Sequence, residues 1–425
     1  MIENSTAEAR RKTIIVGVCF RNDKHYESSF KELDGLCEAE NLEVVADVTQ
    51  NLDSEDSAYY IGSGKVQELK GLVFETGAEL VVVNNQLSPS QLANLAHDLE
   101  VEVIDRTNLI LNIFADRART KEAKMQVEYA KLQYMLPRLV GLRQNLSRQG
   151  GTGGSMSNKG AGETQIELDR RHIEKEMAEL RRGLRETEKS RDTQRKKRQH
   201  SGIPLVAMVG YTNAGKSTLM NALISKCCPD EEKEVFVKDM LFATLDTTVR
   251  KITPADRRDF LLSDTVGFIE DLPHDLVEAF HSTLEEATYA DLILEVVDCS
   301  DENYQNQMDV TARTLKELGA GDIPVIFVMN KAEKRYQELP IVREDKIYIS
   351  ASEGRGLDEL LRMIEEKLFS QYITMELVIP YTEGGIENDL RERARVLSAS
   401  YEDDGVHMKA DLNQELLKRY RQYIV

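Results

Sequence analysis

Residues 13–105 alternate short aliphatic runs with longer stretches of helical periodicity. The pattern predicts strands at 13–19, 42–48, 80–83 and 101–104, and helices at 31–40, 65–75 and 89–99. Such alternation specifies a small sheet of βα units. From Thr107 the pattern turns helical and holds to about 146, interrupted only at Pro137. Residues 149–162 then carry six glycines and almost nothing apolar, a flexible loop. Beyond it Ile166, Ile173, Met177, Leu180 and Leu184 recur at steps of seven, four, three and four, a helical stripe within 164–199. Two long helices around a glycine loop form a hairpin arm, which Lys196, Lys197 and Arg198 end. At Pro204 strand and helix patterns resume and run to Phe369. A last segment reads as strand 375–379, helix 387–394, strands 396–401 and 406–410, then a polar helix. Four parts follow: an α/β domain at 1–105, the arm at 106–200, a second α/β domain at 201–369 and a small α+β domain at 370–425.

Composition changes this picture little, with 41% hydrophobic and 30% charged residues, values of a globular chain. No stretch approaches the roughly 18 to 20 apolar residues that span a bilayer. The polar segment from Met1 to Arg11 has no signal-peptide core behind it, so a cytoplasmic, monomeric protein is expected. Cys19, Cys37, Cys227, Cys228 and Cys299 form no C-x-x-C pair and read as free thiols. Net charge is -19, which argues against nucleic acid until its distribution is considered. Residues 117–200 hold 21 lysines and arginines against 11 aspartates and glutamates, so the arm is basic while the remainder is strongly acidic.

Candidate chemistry enters after the apolar run 205–209. Gly210-Tyr211-Thr212-Asn213-Ala214-Gly215-Lys216-Ser217 fits G-x-x-x-x-G-K-[ST], and Thr218 opens a helix-like stretch. Glycines at these places let backbone N–H groups turn toward phosphate oxygens at a helix N-terminus. Lys216 is then expected at the β- and γ-phosphates, and the Ser217 hydroxyl on magnesium (Mg2+). Further elements follow in order. The apolar residues 260–262 lead into Ser263-Asp264-Thr265-Val266-Gly267, where Asp264 can hold the metal through water and Gly267 offers an N–H to the γ-phosphate. The strand 325–329 ends in Asn330-Lys331-Ala332-Glu333, where a carboxylate can accept from guanine N1 and N2. Ser350-Ala351-Ser352 then presents its backbone to the guanine oxygen. GTP and GDP are the expected ligands. An ATPase is the competing reading, and competition between GTP and ATP for one labelled nucleotide separates the two.

On these residues the chain resembles the GTPase superclass named for translation factors, and within it the HflX family. Asn330, Lys331 and Glu333 match the family's NK-x-D motif, with Glu333 one methylene longer than the usual aspartate; Ser350 and Ala351 match SA-x. The resemblance implies a metal-closing switch threonine, mapped to Thr244, with Thr247 and Thr248 as alternatives. The implied catalytic set is Lys216, Thr244 and Gly267, and the implied metal ligands are Ser217, Thr244 and Asp264. Phe268 stands where many GTPases carry a water-orienting Gln, so slow intrinsic turnover with stimulation by a partner or cation is expected. Asn213 resembles the asparagine of potassium-activated relatives, which implies K+ as a second cation; a plain turn residue is the other reading.

Tyr60-Ile61-Gly62-Ser63-Gly64-Lys65, Tyr134-Met135-Leu136-Pro137-Arg138-Leu139 and Gly162-Glu163-Thr164-Gln165 look like further signatures of the same family. Where its members carry a tight glycine–arginine run, residues 151–162 here hold no arginine. The family is similar to ribosome-associated GTPases that bind the large subunit and separate subunits under stress. The resemblance therefore implies the large ribosomal subunit and its RNA as partners, with the basic arm neutralising phosphates. The competing reading is a nucleotide-gated RNA-binding assembly or hibernation factor with negligible turnover. The interleaved arm charges are also what a solvated helix face carries.

Overall fold

The computed structural model describes residues 10–21, 26–139, 158–200, 203–228, 242, 248–254, 258–265, 267–269, 285–370 and 372–425. The chain forms two compact units: residues 1–187 with 238–246 and 269–281, and residues 188–237 with 247–268 and 282–425.

In the first unit, strands β1 (Arg11–Phe20), β2 (Leu42–Leu52), β3 (Leu80–Val83) and β4 (Glu102–Asp105) form a parallel sheet in the order β2-β1-β3-β4. Helices α1 (Tyr26–Ala39), α2 (Ser63–Thr76) and α3 (Pro89–Leu99) are the crossovers. Ile14, Val16, Val18 and the whole of β3 are buried, which is why these strands read as unbroken apolar runs. The start of α3 is written in the sequence: Pro89 is its first residue, and Ser88 and Gln91 form a reciprocal capping box.

Helix α4 (Arg106–Arg117) follows β4 directly, with the Asp105 carboxylate accepting from Asn108 N. Helix α5 (Lys121–Met135) starts anew, because the Thr120 hydroxyl accepts from Ala123 N and caps it. The continuous helix expected from Thr107 is therefore two helices. Asp105 also accepts from Leu87 N and pairs with Arg138 at 3.3 Å, while Arg106 donates to Ser29 O and Asn84 Oδ1 and pairs with Glu32. These buried ties fix the root of the arm on the sheet. Helix α6 (Asn158–His200) begins earlier than expected, so the glycine-rich stretch gives way to helix before Gly160 and Gly162. Its stripe of Ile173, Met177, Leu180 and Leu184 is half-buried, as the spacing requires. The Arg181 guanidinium donates to the Tyr129 hydroxyl of α5.

The second unit holds a seven-stranded sheet in the order β10-β11-β9-β8-β5-β7-β6. Its members are β5 (Leu205–Val209), β6 (Thr248–Ile252), β7 (Phe260–Asp264), β8 (Leu292–Asp298), β9 (Val325–Asn330), β10 (Ile341–Arg343) and β11 (Lys346–Tyr348). β6 and β10 run antiparallel at the two edges, and the five strands between are parallel. α7 (Lys216–Cys227), α8 (Tyr304–Glu317) and α9 (Leu357–Phe369) accompany it. Beside β5 the chain passes first to β7 on one side and later to β8 on the other. Such a reversal opens a crevice at the carboxyl ends of parallel strands, and the loop after β5 emerges there.

The carboxy-terminal segment folds as β12 (Ile373–Ile379), α10 (Gly384–Arg393), β13 (Arg395–Glu402), β14 (Gly405–Leu412) and α11 (Gln414–Arg419), with antiparallel order β12-β14-β13. The fold is thus α/β, with a P-loop domain, an amino-terminal α/β domain, long arm helices and a small α+β end. Among the described residues no two cysteines are joined in a disulfide. Among the described residues no helix is long and apolar enough to cross a membrane.

Candidate nucleotide-binding site

The loop between β5 and α7 requires glycine at two positions. Gly210 has φ +141, and a Cβ there would lie 2.1 Å from Val296 O. Gly215 has φ +93, and a Cβ there would meet Asn330 Nδ2 at 2.3 Å. Asn213 adopts the left-handed region at φ 59, a form its short amide side chain tolerates. Ala214 is buried, and Thr218 lies in the first turn of α7.

Lys216 is buried, and its Nζ donates to Gly210 O at 3.0 Å and Tyr211 O at 2.8 Å. Burial lowers its pKa to about 8 although the Asp264 carboxylate pulls the other way. Ser217 Oγ donates to Asp264 Oδ2 at 2.8 Å. Asp264 is fully buried at the end of β7, and the next residue, Thr265, donates its hydroxyl to Met208 O at 2.7 Å. Beyond it Gly267 approaches so closely that a Cβ would sit 2.8 Å from Thr212 Cα and 2.9 Å from Lys216 Nζ. Phe268 is buried and forms a parallel bridge with Tyr211: Thr212 N donates to Phe268 O at 2.8 Å, and Phe268 N donates to Gly210 O at 3.1 Å.

The second half of the site lies at the end of β9. Asn330 donates its amide to Ala214 O at 2.9 Å and accepts from Ala351 N at 3.0 Å, so one side chain braces both loops. Lys331, at φ 55, pairs with Asp298 at 2.8 Å. Burial would raise the Asp298 pKa, but hydrogen bonds from Lys331 and Ser300 hold it below the usual carboxylate range. Glu333 sits in a single 3-10 turn, with Ser352 Oγ 3.5 Å from its Oε1. Ser350 is fully buried, its hydroxyl 3.2 Å from that of Ser352.

The structure thus brings Gly210, Lys216, Ser217, Asp264 and Gly267 into one crevice, with Asn330 joining it to Lys331, Glu333 and the segment 350–352. Thr244 and Thr247 lie outside the described residues. Thr248 begins β6, with its hydroxyl 3.8 Å from Met220 Sδ. The sequence reading passed over Asp298 and Thr265. The signal for Asp298 was its place at the end of the run 292–297, apolar except at Glu295; Thr265 had none. Ser217 Oγ and the Asp264 carboxylate are hard oxygen donors side by side, a set that suits magnesium.

Three family models match the chain. "GTP-binding GTPase N-terminal" covers residues 27–115, "GTP-binding GTPase Middle Region" 117–198 and "50S ribosome-binding GTPase" 205–331. A curated GTPase HflX of Caldanaerobacter subterraneus subsp. tengcongensis is 43% identical over 98% of this chain and 95% of its own length. That of Escherichia coli K12 is 37% identical over 94% of this chain and 92% of its own. A solved GTP-binding protein from Sulfolobus solfataricus in complex with GDP is 26% identical, with TM-score 0.45, covering 84% of this chain and 99% of that one.

Proposed function

From the premise that this chain belongs to the HflX family of GTPases and hydrolyses GTP, we propose that it does so in the crevice after β5 and uses the cycle to act on the large ribosomal subunit, separating or rescuing ribosomes under stress. The observation that carries the assignment is the meeting of the Lys216 ammonium, Ser217 hydroxyl and Asp264 carboxylate at the crevice after β5. Lys216 binds the β- and γ-phosphates, exchanging its bonds to Gly210 O and Tyr211 O for phosphate oxygens. Ser217 and Asp264, with Thr244 of the switch, would hold magnesium, which would supply neutralisation of phosphate charge. Gly267 gives its N–H to the γ-phosphate. Asn330 holds the loop in shape, Lys331 covers the base, Glu333 accepts from guanine N1 and N2, and the backbone of 350–352 meets the guanine oxygen. Asn213 would hold potassium, which would supply a second cation.

Phe268 offers no polar group to a water, so turnover is slow alone and rises when the large subunit or potassium completes the site. The arm supplies the attraction to ribosomal RNA, since its ten-charge excess releases counterions from phosphates. The test is phosphate release from GTP by the full chain, with purified large subunits added or withheld, in potassium and then in sodium. Stimulation by subunits is expected, together with co-sedimentation that weakens steeply with salt and with GDP. Co-sedimentation indifferent to both removes the ribosomal role. A Lys216→Ala variant that keeps full nucleotide affinity and turnover removes the site.

A further inference from the structure

Glu333 is one methylene longer than the aspartate of the motif it matches, and a serine stands beside the longer stem. The turn that carries Glu333 is laced to the segment 350–352: Ala332 N donates to Ile349 O at 3.1 Å, and Asn330 Oδ1 accepts from Ala351 N at 3.0 Å. Ser350 is fixed in turn by a bridge to Arg355, with Ser350 N donating to Arg355 O at 3.1 Å and Arg355 N to Ser350 O at 3.0 Å. Ser352 Oγ then lies 3.5 Å from Glu333 Oε1 and 3.2 Å from Ser350 Oγ, and Glu353 N donates to Ser350 Oγ at 3.3 Å. An ionised carboxylate only accepts, so the Ser352 hydroxyl is the donor to Glu333. Its one proton is thereby committed, and the Ser350 hydroxyl donates to Ser352. Amide, hydroxyl, hydroxyl and carboxylate form one chain of fixed direction. Among the described residues the other carboxylate oxygen, Glu333 Oε2, is buried without a hydrogen-bond partner. A buried acceptor left unpaired is costly, so this oxygen calls for a donor.

We propose that Ser352 is a positioning residue for base recognition: its hydroxyl holds Oε1 of Glu333 so that Oε2 faces the guanine N1 and N2 donors. A glutamate has one more rotatable bond than an aspartate and loses more freedom when it is fixed. The serine chain removes that freedom before nucleotide arrives, because it ties the carboxylate to a loop already held by backbone bonds. An aspartate at 333, one methylene shorter, withdraws from the Ser352 hydroxyl and needs no such tether. The serine therefore compensates for the extra methylene. Adenine carries an acceptor at N1, so the contribution of Ser352 applies to guanine nucleotides and not to adenine nucleotides.

The inference rests on the reading of Glu333 as the base acceptor, and the measurement separates the two. Dissociation constants for GDP and for ADP are compared on the full chain and its variants. Ser352→Ala, at an exposed position, is expected to weaken GDP roughly three- to tenfold, the worth of one hydrogen bond, and to leave ADP as it was. Ser352→Thr, which keeps a hydroxyl, is expected to recover the GDP affinity. In a Glu333→Asp background the Ser352→Ala change is expected to have no further effect. Equal weakening of GDP and ADP by Ser352→Ala would make the serine a support of the loop alone, and overturns the proposal. A loss of the same size in the Glu333→Asp background overturns it too, since the hydroxyl would then act without the longer stem. If Glu333→Ala leaves GDP binding unchanged, the base assignment falls and this inference with it. If Glu333→Ala weakens GDP while Ser352→Ala does not, this inference alone falls.

Discussion

Single residues show how far a motif carries. Spacing alone located Gly210, Gly215, Lys216 and Ser217, because only glycines accept the backbone positions that the loop imposes. The same spacing said nothing of Asn330 as a brace, since its partners Ala214 and Ala351 lie 116 and 21 residues away. Nor could it show that Lys216 is buried enough to have its pKa lowered to about 8. Glu333 is where sequence and geometry meet most usefully. It keeps the charge of the usual aspartate on a longer stem and stands close to the hydroxyl of Ser352. If its carboxylate reads guanine, Glu333→Ala leaves the base N1 and N2 donors facing nothing. A loss of about 2 kcal/mol, near thirtyfold in GTP affinity, is then expected, with ATP binding unaltered. Competition of GTP and ATP for one labelled nucleotide measures it, and equal losses for both bases would remove Glu333 from base recognition.

Elements were legible where their ends are written in side chains. Helix α3 begins at Pro89 after a Ser88–Gln91 box, and strands β3 and β5 are bounded where apolar runs stop. The break between α4 and α5 was not, because Thr120 sits in a polar stretch that continues a helix equally well; only its bond to Ala123 N makes it a cap. Strand β8 hides another feature. Glu295 lies in the middle of this central strand, 3% exposed, facing Lys346 and Asp309. Burial raises its pKa to about 8, against the partial help of Lys346 and with Asp309 adding to the rise. The folded chain therefore holds a proton there that the unfolded chain has released above pH 4.5. Stability tied to this group is present below that value and is lost as pH climbs toward about 8. Glu295→Gln, which cannot ionise, should match the parent near pH 4.5 and exceed its melting temperature by at least ~4 °C at pH 8.5. Thermal unfolding at the two pH values checks this, and a gain independent of pH would show that Glu295 stays ionised in the fold.

At the scale of the molecule, the question within the second unit is how the carboxy-terminal sheet is held. Arg258, two residues before β7, pairs with Asp411 of β14 at 2.5 Å. Its guanidinium lies 4.7 Å from the Phe369 ring and 4.6 Å from that of Tyr372, and Thr374 donates its hydroxyl to Asp411. Nothing in Asp256-Arg257-Arg258-Asp259 distinguishes this arginine from a solvated one. Its role exists only once residues 258 and 411 are brought together, so no local pattern announces it. Both charges are largely removed from water, so each needs the other. Deleting one partner leaves the other stranded at a cost of about 3–5 kcal/mol, whereas replacing both with apolar groups of similar size is often nearly neutral. Asp411→Ala should therefore loosen the carboxy-terminal sheet from the seven-stranded one and split unfolding of this unit into two calorimetric transitions. The double variant Arg258→Met with Asp411→Leu should restore a single transition, because methionine can still lie against Phe369 and Tyr372. If the double variant unfolds like the single one, the charge pair itself, rather than the apolar seat around it, joins the two sheets.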